Sequence, residues 1–144
     1  MARVEKSALV RFPPQTMFDL VADVERYKEF LPWCSDSRLV SRGDDELCGW
    51  IEVSRVGITQ AFSTCNELDP PGRMGIRLHE GPFKRLHGEW RFVALGDSAC
   101  KVMLVLEFEF AGRLIDAAFG KVFNQVANSL VDSFVKRAQE VYGG

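Results

Sequence analysis

An α+β fold follows from three observations on the sequence. The apolar periodicity switches from two residues to about 3.6, the strand-like segments are joined by short turns, and the C-terminal stretch is one long amphipathic segment. The expected architecture is a curved antiparallel sheet of about seven strands wrapped around a long C-terminal helix, with two short helices after strand 1. At 144 residues the chain is expected to form one domain spanning 1–144.

The first strand covers residues 3–12, where Val4, Ala8, Val10 and Phe12 share one parity. Pro13 and Pro14 end it, because proline has no N–H for the ladder. Met17, Leu20, Val21 and Val24 then recur at helical spacing, so a short helix is expected over residues 14–24, with a second turn near Glu25–Phe30. From about residue 36 to 110 the pattern is that of strands. Turn chemistry divides it at Gly43-Asp44-Asp45, Gly57, Asp69-Pro70-Pro71-Gly72, Gly81-Pro82 and Gly96-Asp97-Ser98. The longest strand is CKVMLVLEFEF, with Cys100, Val102, Leu104, Leu106, Phe108 and Phe110 on one face. No helical segment separates these strands, so the pairing is antiparallel.

From about Gly112 to Tyr142 the period is helical again. Ile115, Phe119, Val122, Val126, Leu130, Phe134 and Ala138 form the stripe, and Leu114, Ala118, Phe123, Val131 and Val135 widen it. Gly120 marks a bend or a close approach inside this helix, and Gly143-Gly144 ends it. Where such a helix stands away from the sheet, an apolar cavity opens, the kind of concave site that small ligands favour.

The composition fits this picture. Hydrophobic residues make up 47% and charged residues 26%, enough for a core without a covalent or metal staple. A formal net charge of −2 argues against general DNA binding. The N-terminal MARVEKSALVRF has no continuous apolar run, and no stretch reaches the roughly 20 apolar residues of a membrane span. A cytoplasmic protein is expected, with at most peripheral, transient contact with the inner membrane surface. Cys34, Cys48, Cys65 and Cys100 are too widely spaced for a zinc site, so they are expected to be free core thiols and no metal is expected.

Three groups of residues are candidates for function. Phe30, Leu31, Pro32 and Trp33 stand together in a loop, either as a cap on the core or as the mouth of a cavity. In GPFKRL, Gly81 and Pro82 suit a bulge that bends the sheet; equally, Phe83 would sit at a cavity wall and Lys84 and Arg85 at its rim. Trp50, Trp90, Phe92, Phe108, Phe119 and Phe123 are core residues that become lining wherever the cavity opens. No catalytic set is expected. His79 and His87 lie on the charged parity of their strands, there is no nucleophile elbow, and the glycines fit no phosphate loop. Arg113, Lys121, Lys136 and Arg137 alternate with acids and read as a solvated face.

The segments YKEFLPWC, GPFKRLHGEWRF, LEFEF, LIDAAFGKVF and RAQEVYG, in this order and spacing, extend over nearly the whole chain. Together they resemble the coenzyme Q-binding and ribosome association toxin branch of the START-like polyketide cyclase and lipid transport superfamily. The resemblance implies a helix-grip fold whose cavity holds a hydrophobic molecule, for the respiratory members a polyprenyl quinone such as ubiquinone. It implies binding or delivery in support of respiration, with no turnover and no required cofactor. For the members called toxins, bacterial proteins of the toxin–antitoxin type, it implies instead binding to the large ribosomal subunit and a block of 70S subunit association. The chain departs from the family pattern at Lys28, where proline is usual, and at Ala111-Gly112-Arg113, where asparagine is usual.

Overall fold

A computed structural model describes residues 2–143. Seven strands form one antiparallel sheet in the order β1-β7-β6-β5-β4-β3-β2. They are β1 (Ala2–Val10), β2 (Cys34–Arg42), β3 (Glu46–Arg55), β4 (Ile58–Asp69), β5 (Arg73–Glu80), β6 (Phe83–Ala94) and β7 (Cys100–Phe110). Helix α1 (Pro14–Ala22), a 3-10 turn (Val24–Arg26) and helix α2 (Tyr27–Phe30) connect β1 to β2, and helix α3 (Arg113–Tyr142) closes the chain. The expected α+β class, strand number and C-terminal helix all match. Strand β1 ends at Val10 rather than at residue 12, because the Pro13-Pro14 pair already commits the chain to α1. Pro14 occupies the first helical position, where a missing N–H costs nothing. Gly144 lies outside the described residues.

Neighbouring strands of the sheet are consecutive in the chain except at one edge, where β1 pairs with β7 over its whole length, from Ala2 opposite Phe108 to Val10 opposite Cys100. That pairing places β1 and β7 side by side against α3. Two apolar clusters result. In the first, Val131, Phe134 and Ala138 of α3 meet Met17, Phe18 and Val21 of α1 and Val102 and Leu104 of β7. In the second, Phe119, Phe123 and Val126 of α3 meet Val4, Phe62, Phe83, Leu106 and Phe108. Each fully buried side chain of this size stabilises the fold by about 1.5–3 kcal/mol relative to exposure. The stripe is narrower at its start than the sequence suggests. Leu114 is 86% exposed and Ala118 is exposed, because they lie on the flank of α3 turned away from the sheet, while Ile115 and Phe119 beside them pack against it.

Gly120 is a close approach: a Cβ there would meet the Asp116 carboxylate at 2.5 Å and the Phe110 ring at 3.5 Å, while α3 runs unbroken through it. Gly81 has φ 153°, and a register shift follows it between Phe83 and Arg85, as the bulge reading requires. Gly88 sits where β6 crosses β7, and any Cβ there would collide with the Val105 carbonyl oxygen. The β3–β4 hairpin turns on Val56 and Gly57, both at positive φ, 53° and 76°. Such a turn suits Asn-Gly, whereas a β-branched residue is strained in it.

Two substitutions test these backbone constraints. Val56→Asn should raise unfolding stability by about 1 kcal/mol, read as a higher urea midpoint at unchanged slope. Gly88→Ala should lower it by about 2–3 kcal/mol, since the β6–β7 ladder must open to admit the methyl group.

Candidate functional site

The two apolar clusters do not merge completely. Between them lies an interior cavity of about 90 Å³. Its walls come from α3 (Phe123, Val126, Leu130, Phe134), from the concave face of β3 to β7 and from the segment joining α1 to β2 (Val24, Tyr27, Trp33). Strand alternation selects the sheet residues: Leu47, Gly49 and Ile51 of β3, and Phe62, Thr64 and Asn66 of β4, all point inward. Gly49 leaves space that Val24 fills, since a Cβ there would stand 3.0 Å from the Val24 methyl.

The connecting segment is held by a chain of hydrogen bonds. The Leu31 N–H donates to the Tyr27 carbonyl (3.0 Å), Cys34 N–H to Leu31 (2.9 Å) and Ser54 N–H to the Trp33 carbonyl (2.9 Å). Lys28 donates its N–H to Ser37 Oγ (3.3 Å) and its Nζ to the Ser37 carbonyl (3.2 Å), while Ser37 Oγ donates to the Glu25 carbonyl (3.2 Å). A proline at position 28 would lack the first of these donors. The departure from the family pattern at Lys28 therefore ties the segment to β2.

The site residues read from the sequence divide by position. Trp33, Trp90 and Phe123 line the cavity. Phe83, Phe108 and Phe119 are buried one shell further out. Phe83 stacks on Phe110 with centroids 5.2 Å apart, and Phe108 and Phe119 lie edge-on or tilted to Phe123 at 4.8 and 5.7 Å. Phe92 packs on Phe18 and Trp90 in the other cluster. Leu31 is buried core, and Pro32 is exposed. Phe30 is half-buried against Phe134, with the Arg137 guanidinium 4.9 Å above its ring, and borders a separate outer recess.

Trp50 requires a correction. It lies on the convex face, because Gly49 and Ile51 take the inward parity, and the Arg38 guanidinium covers it at 4.9 Å. Lys84 and Arg85 are exposed on β6; Lys84 pairs with Glu109 at 3.5 Å, and Arg85 stands opposite Glu109 in the ladder.

The cysteines also differ from expectation. Cys48 and Cys65 face each other across β3 and β4 and form a disulfide on the convex face, with Cα atoms 4.1 Å apart. Cys34 and Cys100 are free and buried, as expected. Burial is the main cause that pushes the Cys34 thiol up to about 11.

The chemistry of the cavity is apolar with few polar groups. Tyr27 is the one titratable side chain among its lining residues. Burial raises its phenol above the ordinary range, so it stays protonated, and it donates to the Val21 carbonyl. Asn66 donates its amide to Met74 Sδ at 3.5 Å; a thioether only accepts, so the amide nitrogen faces the sulfur and the oxygen is left over. Trp33 Nε1 and Asn66 Oδ1 are buried without a partner. Each such group typically costs about 1–3 kcal/mol. Neither polar residue of β4 was singled out in the sequence; their inward parity beside Phe62 was the available signal.

Comparison with known proteins places the chain. The family model described as polyketide cyclase / dehydrase and lipid transport matches residues 10–135. The chain is 46% identical over 143 residues to the ribosome association toxin RatA of Vibrio cholerae, covering 99% of each. It is 27% identical over 142 residues to a mitochondrial coenzyme Q-binding protein, COQ10 homolog B, of Xenopus laevis, covering 96% of this chain and 58% of that one. Among solved structures, an 18 kDa protein from Caulobacter crescentus superposes with a TM-score of 0.75 at 32% identity, covering 100% of both chains. Among the described residues, no helix is long and apolar enough to cross a membrane. On its sequence, its sheet order and its long closing helix, this chain belongs to the polyketide cyclase / dehydrase and lipid transport family.

Proposed function

We propose that this protein binds a hydrophobic small molecule in its interior cavity, with a prenylated quinone such as ubiquinone as the leading ligand class, and carries it without catalysis. The observation that supports this reading is the cavity itself, walled by aromatic and aliphatic side chains and lacking Asp, Glu, His, Lys or Arg among its lining residues. General acid–base work needs a positioned group that titrates near neutrality, and Tyr27 is held protonated. Burial of apolar surface, worth about 25 cal/mol per Å², would supply the affinity. The segment carrying Phe30 to Trp33 adjoins the cavity through Trp33 and would gate it. The test is mass spectrometry of an organic extract of gently purified protein, beside a cavity-filling Leu130→Trp variant checked for folding by circular dichroism. A near-stoichiometric quinone, at least about fivefold depleted in the variant, is the expected result, since a filled cavity cannot bury the ligand. An extract without any hydrophobic molecule, and no uptake of added quinones, would sink the reading.

A second reading is favoured by one observation, the 46% identity to a ribosome association toxin across nearly all of both chains. On it, the chain binds the large ribosomal subunit and interferes with subunit joining. Lys84 and Arg85 are the surface cations first in line for contact with RNA phosphate, although Glu109 partly neutralises them. Co-sedimentation with large subunits over a salt series should weaken about tenfold or more in a Lys84→Glu, Arg85→Glu variant, with the log–log salt slope shallower by about 1.5. An unchanged slope would remove this patch from the interface.

A further inference from the structure

Among the described residues, two buried side-chain nitrogen or oxygen atoms lack a hydrogen-bond partner, Trp33 Nε1 and Asn66 Oδ1. They belong to different elements, the segment before β2 and strand β4, yet both side chains line the same cavity. They are also complementary: an indole N–H only donates, and an amide oxygen only accepts. None of the remaining polar lining side chains answers them: Tyr27 donates to the Val21 carbonyl, while the Trp90 indole N–H and the Thr64 hydroxyl leave Trp33 Nε1 and Asn66 Oδ1 unpaired. Unpaired buried groups in an apolar wall are unfavourable and call for an explanation, and a ligand with matching groups supplies one.

Size narrows the ligand further. The cavity measures about 90 Å³. An apolar cavity of about 150 Å³ takes one benzene ring, so this one admits no more than a single ring, seated as its walls yield, and has no room for a long tail.

We propose that the cavity recognises a hydroxylated aromatic ring at two points, a ring oxygen that accepts from Trp33 Nε1–H and a ring hydroxyl that donates to Asn66 Oδ1. This rests on the reading that the cavity takes a hydrophobic molecule, and it specifies the head group. A hydrocarbon leaves both groups unpaired. An oxidised quinone, which has acceptors only, satisfies Trp33 and leaves Asn66 Oδ1 bare. A phenol or hydroquinone satisfies both, so the site favours the reduced, hydroxyl-bearing form of a ring that can exist in either state.

The test is calorimetric titration of the full chain, without added reductant so that the Cys48–Cys65 bond is untouched, against three redox-inert probes. These are an alkyl methoxyphenol, its O-methyl ether and the corresponding alkylbenzene, all with the same heptyl chain. The wild-type protein should bind the methoxyphenol about tenfold more tightly than the ether, with the alkylbenzene weakest. Asn66→Leu should bring phenol and ether within about twofold of each other, and Trp33→Phe should draw both oxygen-bearing probes toward the alkylbenzene. An ether or alkylbenzene that binds the wild type as well as the phenol overturns the two-point head site and leaves the hydrophobic-ligand reading standing. Binding of none of the three overturns both. The wild-type series decides the matter even where a variant does not fold.

Discussion

The apolar stripe of α3 must be buried, and the only surface long enough to bury it is the concave face of the sheet. Much of the architecture answers that requirement. A 30-residue helix is far longer than one strand is wide, so several strands of a curved sheet are needed to cover it. Pairing β1 with β7 brings the N-terminal strand against the strand that precedes the helix, and places Val4 and Val10 at opposite ends of the stripe. Helix α1 then covers the C-terminal half of α3, where Phe134 and Ala138 would otherwise face water. The N-terminal half meets the phenylalanines of β4, β6 and β7 instead. The cavity sits between these two contacts, where a nearly straight helix and a curved sheet part.

The same geometry separates charge from the interior. The ion pairs lie on strand faces and helix surfaces that look outward, such as Arg73 with Glu67 and Glu89, and Arg38 with Asp36. Exposed pairs of this kind contribute little to stability. They do hold the outer face of the sheet polar, which leaves the inner face free to be apolar. The polar groups on the cavity wall are few and uncharged: two indoles, an amide, a hydroxyl and a committed phenol. A family whose description spans cyclases, dehydrases and lipid transport shares one container, and what the container does is decided by the side chains that face inward. Here those side chains are mostly apolar, with a few uncharged hydrogen-bonding groups among them.

Much of the fold was legible in the sequence because each element announces itself locally. Alternation in CKVMLVLEFEF, turn residues at Gly43, Gly57, Asp69–Gly72 and Gly96, and the helical recurrence from Ile115 to Ala138 need no knowledge of partners. What could not be read depends on register and curvature. Cys48 and Cys65 pair because β3 and β4 meet with those two residues opposite, and a separation of 17 residues conceals it. Trp50 reads as core by its size, yet the inward parity of Leu47, Gly49 and Ile51 turns it outward. Leu114 and Ala118 widen the helical pattern on the flank that the sheet does not cover. Asn66 and Thr64 are hidden for the opposite reason: they are polar residues at inward positions, and their parity becomes meaningful only once the strand is known to face a cavity.

The interior and exterior readings of this chain draw on different residues. The cavity is built from the concave face, from α3 and from Val24, Tyr27 and Trp33; Lys84 and Arg85 project from β6 on the other side of the backbone from its inward residues Leu86 and Trp90. A molecule inside the cavity and a polyanion at the surface would therefore not compete for side chains. Where they could communicate is the segment before β2. Tyr27 and Phe30 touch Phe134 of α3, Phe30 lies under Arg137, and Lys28 is bonded to Ser37 of β2. A ligand that moved Phe134 or Trp33 would move this segment, because close-packed aromatics transmit displacement rather than absorb it. Residues 27–33 thus join the cavity wall to the outer side of α3 and to β2.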